Sequence, residues 1–564
     1  MVYRILRVVI LSSIAATSIF AAEKTGFKVG VVSSMESVRP RSGYVVNPAS
    51  SVNIRLSRDE YESVQVLVEP VSNALKDVRV TIDMEHSGFA SSNITVALVG
   101  YVLTKDVPKY KVRPSKKPPE PAWWPDPILD FQKSTDIALG DVQSFWVRVK
   151  CPENQKAGVY EGSLKVSADG AEEVRIPFSV RVNNFAVNRA PPLPLLVSCY
   201  NPNVRKNSFP KNGRNNIAKR IAASEYHHAW KTRKERYCDF LSDYYLSWGA
   251  PLYLNAKSEP DWEMLVRLKK RGRLSYFNLC YWWYMGLGEG AEEKWVNEKL
   301  PVFRARYEKA KSLGLSEHAV LYGCDELNPN VFTNIARTVK AIHKHLPGVK
   351  VITTARDYKF GVGGSPLSDV DMFCPIISKF KKSQVRLARE AGRKVWWYIC
   401  CDPCYPWPNT LIECPPAETR SLMGAMTQKY KPDGFLYYAT MTWNSEEPIT
   451  KGPFTKWEPK SFSFYHGDGQ WTSCGGPDNM PLATLRLENF RDGLEDLWYC
   501  RLLEEKVVKV EKGELTLKEN KNEWLKKARE LLDVPKTVVD TTSRFSVDPA
   551  LIYQWRDAIA DLIE

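Results

Sequence analysis

Eight short apolar runs, separated by longer stretches of helical periodicity, constrain this chain more than any other feature. The runs are "LLVSCY" ending at Tyr200, "APLYL" at 250–254, "YFNLCYWWY" at 276–284 and "AVLYGCDE" at 319–326. They continue with "KVITTA" at 350–355, "DMFCPI" at 371–376, "KVWWYICC" at 394–401 and "GFLYYATMTW" at 434–443. Between them, segments such as "VFRARYEKAKSLG" and "VFTNIARTVKAIHKHLPG" place apolar residues at helical spacing. Strands that alternate with helices imply a parallel sheet. A doubly wound sheet shares that alternation, but eight strands over roughly 250 residues favour a (β/α)8 TIM-like barrel.

A different pattern precedes the barrel. Residues 25–187 read as all-β: "YESVQVLVEP", "KDVRVTIDM", "QSFWVRVKC" and "EEVRIPFSVRV" alternate apolar and polar residues at period two. This predicts an N-terminal β-sandwich. A proline-rich excursion, "VPKYKVRPSKKPPEPAWWPDPILD" at 107–130, interrupts it. Its prolines place Trp123 and Trp124 in a loop that packs on a neighbouring domain. "NRAPPLP" at 188–194 is a stiff linker. After Trp443 a Gly-rich loop leads into a helix beginning near Leu482, the eighth of the barrel, and two further helices lie near 516–532 and 547–563. The expected organisation is a signal peptide at 1–22, the sandwich at 25–187, the barrel at 193–510 and a helical extension at 511–564. Arg4 and Arg7 ahead of the apolar run Val8–Ala22 carry the signal reading. Export to the periplasm, cell surface or medium follows. No later run holds 18 unbroken apolar residues, so the processed chain is not expected to span a membrane.

Charge and cysteine content narrow the function. The net charge is +14, but lysine and arginine are spread along the chain and form no tail or stripe. That argues against nucleic acid and leaves acidic glycans open. Of the 12 cysteines, several lie inside apolar runs, where they pack as small hydrophobes. Cys401, Cys404 and Cys414 fall in "CDPCYPWPNTLIEC", and no nearby histidine completes a metal set. A disulfide and free thiols both remain open, and no cofactor or metal is expected. The sequence leaves the oligomeric state unknown.

The chemistry points to Asp325 and Glu326, at the C-terminal end of the fourth run. Active sites of barrels form there. Neighbours on a strand face opposite ways, so both can enter one pocket only if the strand ends and the backbone turns, which "ELNP" permits. Two carboxyls in one pocket suit glycoside hydrolysis. Because they are adjacent, they suit the variant in which the substrate's 2-acetamido oxygen attacks the anomeric carbon. Aromatics crowd the ends of the third, seventh and eighth runs. Trp443, Trp283, Trp397 and Tyr438 are candidate pocket walls, Tyr398 a candidate hydrogen-bond donor to an acetamido group, and Asp468 in "HGDG" and Asp402 further pocket candidates.

These features together resemble glycoside hydrolase family 123, the β-N-acetylgalactosaminidases and their relatives. The resemblance covers "RLSRDEYESVQVLVEP", the barrel, the "YGCDE" strand end and "YHGDGQW…LRLENFRDGLEDLWYCRLL". The last is the most specific, through Arg486, Glu488, Arg491, Asp492, Gly493, Glu495 and Asp496. Its physical reading is structural, with Arg491 and Glu495 spaced to pair along a helix. The resemblance implies an exported, retaining, exo-acting enzyme that removes terminal β-linked N-acetylhexosamine, N-acetylgalactosamine first, from a glycan or glycolipid. Asp325 would polarise the acetamido group and Glu326 act as acid and base. Two alternatives remain: a glycosidase of this fold acting on another sugar, and a non-catalytic carbohydrate-binding surface protein.

Overall fold

A computed structural model of the chain describes residues 26–114, 121–199, 226–249, 251–445 and 447–564. The expected signal peptide lies outside them. Among the described residues, no helix is long and apolar enough to cross a membrane.

The amino-terminal part holds ten strands: β1 Phe27–Ser33, β2 Val52–Arg58, β3 Tyr61–Pro70, β4 Leu75–Asp83, β5 Ile94–Leu103, β6 Trp123–Leu129, β7 Ser134–Ile137, β8 Gln143–Lys150, β9 Gly158–Ser167 and β10 Val174–Ala186. They form two five-stranded sheets, ordered β1-β3-β8-β5-β6 and β2-β10-β9-β4-β7. Trp123 and Trp124 are not in a loop. They open β6, an edge strand antiparallel to β5. The edge position is what accommodates Pro125 and Pro127, which have no N–H to donate.

Parallel strands follow: β11 Leu195–Val197, β12 Phe277–Asn278, β13 Ala319–Gly323, β14 Lys350–Thr353, β15 Met372–Phe373, β16 Lys394–Val395, β17 Trp397–Tyr398 and β18 Phe435–Tyr437. One sheet runs β12-β13-β14-β15-β16 and the other β11-β18-β17. Trp396 links them, since its N–H donates to Phe373 at 2.8 Å and the next residue's to Gly434 at 3.1 Å. At the other margin the Tyr276 N–H donates to the Leu195 carbonyl at 3.0 Å. Seven of the eight expected runs contain strand. The eighth, at 250–254, does not: its described residues 251–254 form turns. Pro251 has no donor, and side chains replace the ladder. Leu252 N–H donates to Ser198 Oγ at 3.0 Å, and Asn278 Nδ2 to the Leu252 carbonyl at 2.5 Å.

Around the strands lie α1 Tyr226–Ser242, α2 Trp262–Lys270, α3 Ala291–Ser312, α4 Phe332–His345, α5 Lys382–Glu390, α6 Pro416–Ser421, α7 Thr427–Tyr430, α8 Leu485–Glu511, α9 Lys521–Leu532 and α10 Pro549–Ile563. A β19–β20 hairpin, Thr472–Gly475 with Met480–Ala483, occupies the Gly-rich loop. Leu482 therefore belongs to β20, and α8 starts at Leu485 behind the cap Thr484, whose Oγ1 accepts from Leu487 N–H. The first half of α8 is buried on all sides, charged residues included. Its charges are matched by other elements. Arg148 on β8 meets Glu488 at 2.5 Å, and Arg420 on α6 meets both Glu62 at 2.9 Å and Asp496 at 2.8 Å. Arg486 meets Asp126 at 2.8 Å, and Arg556 on α10 meets Asp496 at 3.0 Å. Arg491 lies 3.7 Å from Glu495 but closer, at 2.7 Å, to Glu488. Buried charges survive only when paired and hydrogen-bonded. This network clamps α8 between the amino-terminal sheets and the carboxy-terminal helices.

Candidate active site

The strand end at 323–326 is built by close packing. A side chain on Gly323 would meet the Trp282 carbonyl at 2.2 Å, so only glycine lets β13 lie against that segment. The strand then stops. Cys324 and Glu326 take left-handed backbone conformations, with φ of 54° and 50°. Such conformations cost roughly 1–3 kcal/mol each for residues other than glycine. They resolve the strand-alternation problem, because Asp325 and Glu326 both line one cleft. Hydrogen bonds hold the turn. Cys324 N–H donates to the Trp282 carbonyl at 3.2 Å, Asp325 N–H to Tyr281 Oη at 3.2 Å and Glu326 N–H to Thr354 Oγ1 at 3.1 Å.

Three hydroxyls hold the Asp325 carboxyl. Tyr322 and Thr354 donate to Oδ1, both at 2.6 Å, and Tyr253 donates to Oδ2 at 2.7 Å. Burial, with the charge of Asp325 behind it, holds the Tyr322 phenol well above its ordinary range, so it stays a donor. Burial likewise pushes Tyr281 up to about 12. Glu326 is held differently. Tyr398 donates to Oε1 at 2.5 Å and Arg356 Nη2 to Oε2 at 3.2 Å, and 37% of the Glu326 side chain remains exposed. One carboxyl is thus fixed from three sides by neutral donors, and its neighbour is held from two and open to solvent.

The cleft has a volume of about 990 Å³ and lies beyond the ends of β13, β14, β17 and β18. It also takes in Tyr438, Asp402 and Asp468. Asp468 accepts from Tyr437 at 3.1 Å and Tyr438 at 2.9 Å. Burial pushes its carboxyl up to about 6, against the opposing effect of those two hydroxyls and of Arg486.

Three tryptophans expected at the cleft lie elsewhere. Trp397 faces outward, packing on Phe380 and Tyr430, because Trp396 and Tyr398 take the inward positions of the same strand. Trp443, 3% exposed, donates Nε1–H to the Thr472 carbonyl at 2.6 Å and abuts Trp457. Trp283 is 49% exposed but stacks on Tyr284 outside the cleft lining. Conversely, Tyr253, Tyr281, Tyr322, Thr354 and Arg356 went unnoticed in the sequence. For all of these but Tyr253, which lies in a turn, a position at or just past a strand end was the available signal. Among the described residues no group of three or more His, Cys, Asp or Glu is arranged to hold a metal ion. All 12 cysteines are unpaired. Cys400, Cys401 and Cys404 line the cleft, while Cys414 packs with Tyr110 and Leu411.

Comparison with known proteins agrees with this architecture. The family described as "Glycoside hydrolase 123, catalytic domain" matches residues 287–503, a span that contains Asp325 and Glu326. "Glycoside hydrolase 123 N-terminal domain" matches residues 51–168. A solved family 123 glycoside hydrolase from Clostridium perfringens, whose structure concerns glycolipid glycan hydrolysis, superimposes with a TM-score of 0.68. That match covers 95% of this chain and 98% of the other at 16% identity, which shows the fold alone. A family 39 glycoside hydrolase from Bacteroides cellulosilyticus WH2 matches over 75% of this chain and 81% of its own at 10% identity, with a TM-score of only 0.32. No curated protein matches the sequence. With both family regions matched along the chain, one over the amino-terminal sheets and one over the cleft, the protein belongs to glycoside hydrolase family 123 and is a glycoside hydrolase.

Proposed function

We propose that this glycoside hydrolase removes terminal β-linked N-acetylgalactosamine with retention of configuration, using the substrate's own 2-acetamido group as nucleophile. The observation that carries the reading is that Asp325 and Glu326 are adjacent in the chain and line the same cleft. A conventional retaining pair brackets the sugar, with its carboxyls on either side of the scissile bond. Neighbouring residues suit a division of labour on one side instead.

In the first step the acetamido oxygen attacks the anomeric carbon and the bond to the leaving oxygen breaks. Glu326 protonates that oxygen. Asp325, oriented by Tyr253, Tyr322 and Thr354, accepts the acetamido N–H and stabilises the positive charge that the cyclising group gains. In the second step Glu326, now a carboxylate, takes a proton from water, which opens the ring from the opposite face. Two inversions give net retention. Tyr398 orients the Glu326 carboxyl throughout.

The choice of sugar rests on the family resemblance, and a glycolipid glycan as the parent substrate on the activity described for the Clostridium perfringens enzyme. We further propose that the parallel strands form a (β/α)8-type barrel in which 251–254 is an irregular eighth member. An inward cluster of Leu196, Leu252, Val320, Ile352, Met372, Trp396 and Leu436, one residue from each of seven segments, supports this. Export rests on the amino-terminal sequence.

The test is hydrolysis of an aryl β-N-acetylgalactosaminide by the wild-type protein and by Glu326→Gln, beside the matching β-N-acetylglucosaminide and β-galactoside. Turnover confined to the acetamido sugars and abolished by the substitution supports the proposal. Equal turnover of the β-galactoside contradicts substrate assistance.

A further inference from the structure

The proline-rich excursion from the amino-terminal sheets reaches the cleft. Two anchors fix it there. Tyr110 donates its hydroxyl to the buried Glu413 carboxyl at 2.5 Å and stacks on Tyr465 with ring centroids 5.0 Å apart. Arg113 pairs with the buried Glu418 at 2.7 Å. Between them, the Lys111 carbonyl accepts from Tyr405 N–H at 3.2 Å, and the Lys111 side chain is exposed and lines the cleft.

The charges in this cleft are unevenly matched. Its buried and half-buried carboxyls are already held: Asp325 by three hydroxyls, Asp468 by two, and Glu326 by Tyr398 and Arg356, while a fourth, the exposed Asp402, accepts from Cys404 Sγ at 3.7 Å. Arg356 is engaged by Glu326 and Asn328. Lys111 and Lys379 also line the cleft, yet among the described residues neither forms an ion pair with a carboxylate. Lys379 instead lies over the Tyr358 ring, 5.6 Å from its centroid. Lys111 and Lys379 therefore present two ammonium groups that no carboxylate contacts directly, in a cleft lined by four carboxyls and three cations, and an anion on the ligand can pair with either.

We propose that the cleft takes glycans bearing an anionic group, a sulfate ester or a carboxylate, near the cleaved sugar, and that Lys111 contacts that group. The proposal rests on the glycosidase reading and deepens it by naming the substrate class. It also gives the amino-terminal sheets a part in substrate recognition. A competing role for Lys111, general balancing of the cleft's carboxylates, predicts equal effects on neutral and acidic ligands.

The experiment is calorimetric titration of the full chain carrying Glu326→Gln, which preserves the ligand. Three matched oligosaccharides ending in β-N-acetylgalactosamine serve as probes: unsubstituted, sulfated and sialylated. The expected result is tighter binding of at least one acidic glycan, by about tenfold, weakening as ionic strength rises. Which acidic probe is preferred identifies the anion. Adding Lys111→Met should erase the preference, and Lys111→Arg should retain it. Equal affinity for all three probes, no binding of any, or a preference that survives Lys111→Met overturns the proposal. Failure of the parent reading shows separately, as absence of wild-type turnover on the neutral aryl N-acetylgalactosaminide.

Discussion

At the residue scale, the site depends on which donors hold which carboxyl. Tyr398→Phe removes the hydroxyl that orients Glu326. It should lower kcat/KM by about tenfold, as loss of one charge-assisted hydrogen bond does, with little change in stability. Asp468 makes a pH prediction. Burial raises its carboxyl from 3.8 to about 6 in the folded protein. Between those values the folded chain binds a proton that the unfolded chain has lost, so this group lowers stability as pH rises from about 4 to 6. The loss is on the order of 3 kcal/mol and is complete above pH 6. Urea unfolding of wild type and Asp468→Asn across this range should show the substitution flattening that decline; parallel curves would contradict it. The Asp325–Glu326 pair was legible in the sequence because it ends an apolar strand. Tyr398 was legible as well, but Tyr253 and Thr354 were not, because they come from distant segments, and Tyr322, in the same run, reads as one more strand residue. The tryptophans misled for a related reason: an aromatic near a strand end is as often packed outward or beneath a hairpin as exposed to a pocket.

At the element scale, α8 is the most constrained part of the chain. Glu488 is held down to about 2: burial alone would raise it, but Arg148 and Arg491 more than reverse that. Its contribution to stability is therefore present above its unfolded value of 4.5 and lost as pH falls toward 2. Glu488→Gln leaves the buried Arg491 and the half-buried Arg148 short of a partner and should destabilise by about 3–5 kcal/mol. Gly493→Ala tests packing instead. Its new methyl would meet the Arg420 carbonyl at 2.7 Å and the Met423 side chain at 2.8 Å. A loss of about 1–3 kcal/mol is expected, read as a lower melting temperature. The density of charge in "LRLENFRDGLEDLW" was visible in the sequence and suggested pairing along one helix. Most of the pairing runs instead between elements, to Asp126 and Arg148 of the sheets and Arg420 and Arg556 of other helices. Helical spacing reveals only partners within a helix.

At the scale of the whole molecule, those ion pairs join the amino-terminal sheets to α6, α8 and α10. A chain lacking residues 1–187 would leave Arg420 without Glu62 and Arg486 without Asp126. It should fail to accumulate as folded protein, and the intact protein should unfold in a single calorimetric transition; two well-separated transitions would contradict this. The two amino-terminal sheets and the strand–helix alternation were legible because their periods differ. The irregular segment at 251–254 was not, since an apolar run reads alike whether a ladder or side chains hold it. The central claim is that the acetamido group is the nucleophile, with Asp325 and Glu326 assisting. The most direct test is a series of aryl β-N-acetylgalactosaminides whose acetamido methyl carries successively more fluorine. Fluorine drains electron density from the acetamido oxygen, so kcat/KM should fall steeply along the series. A rate that does not depend on fluorination would contradict the account and require a nucleophile from the protein.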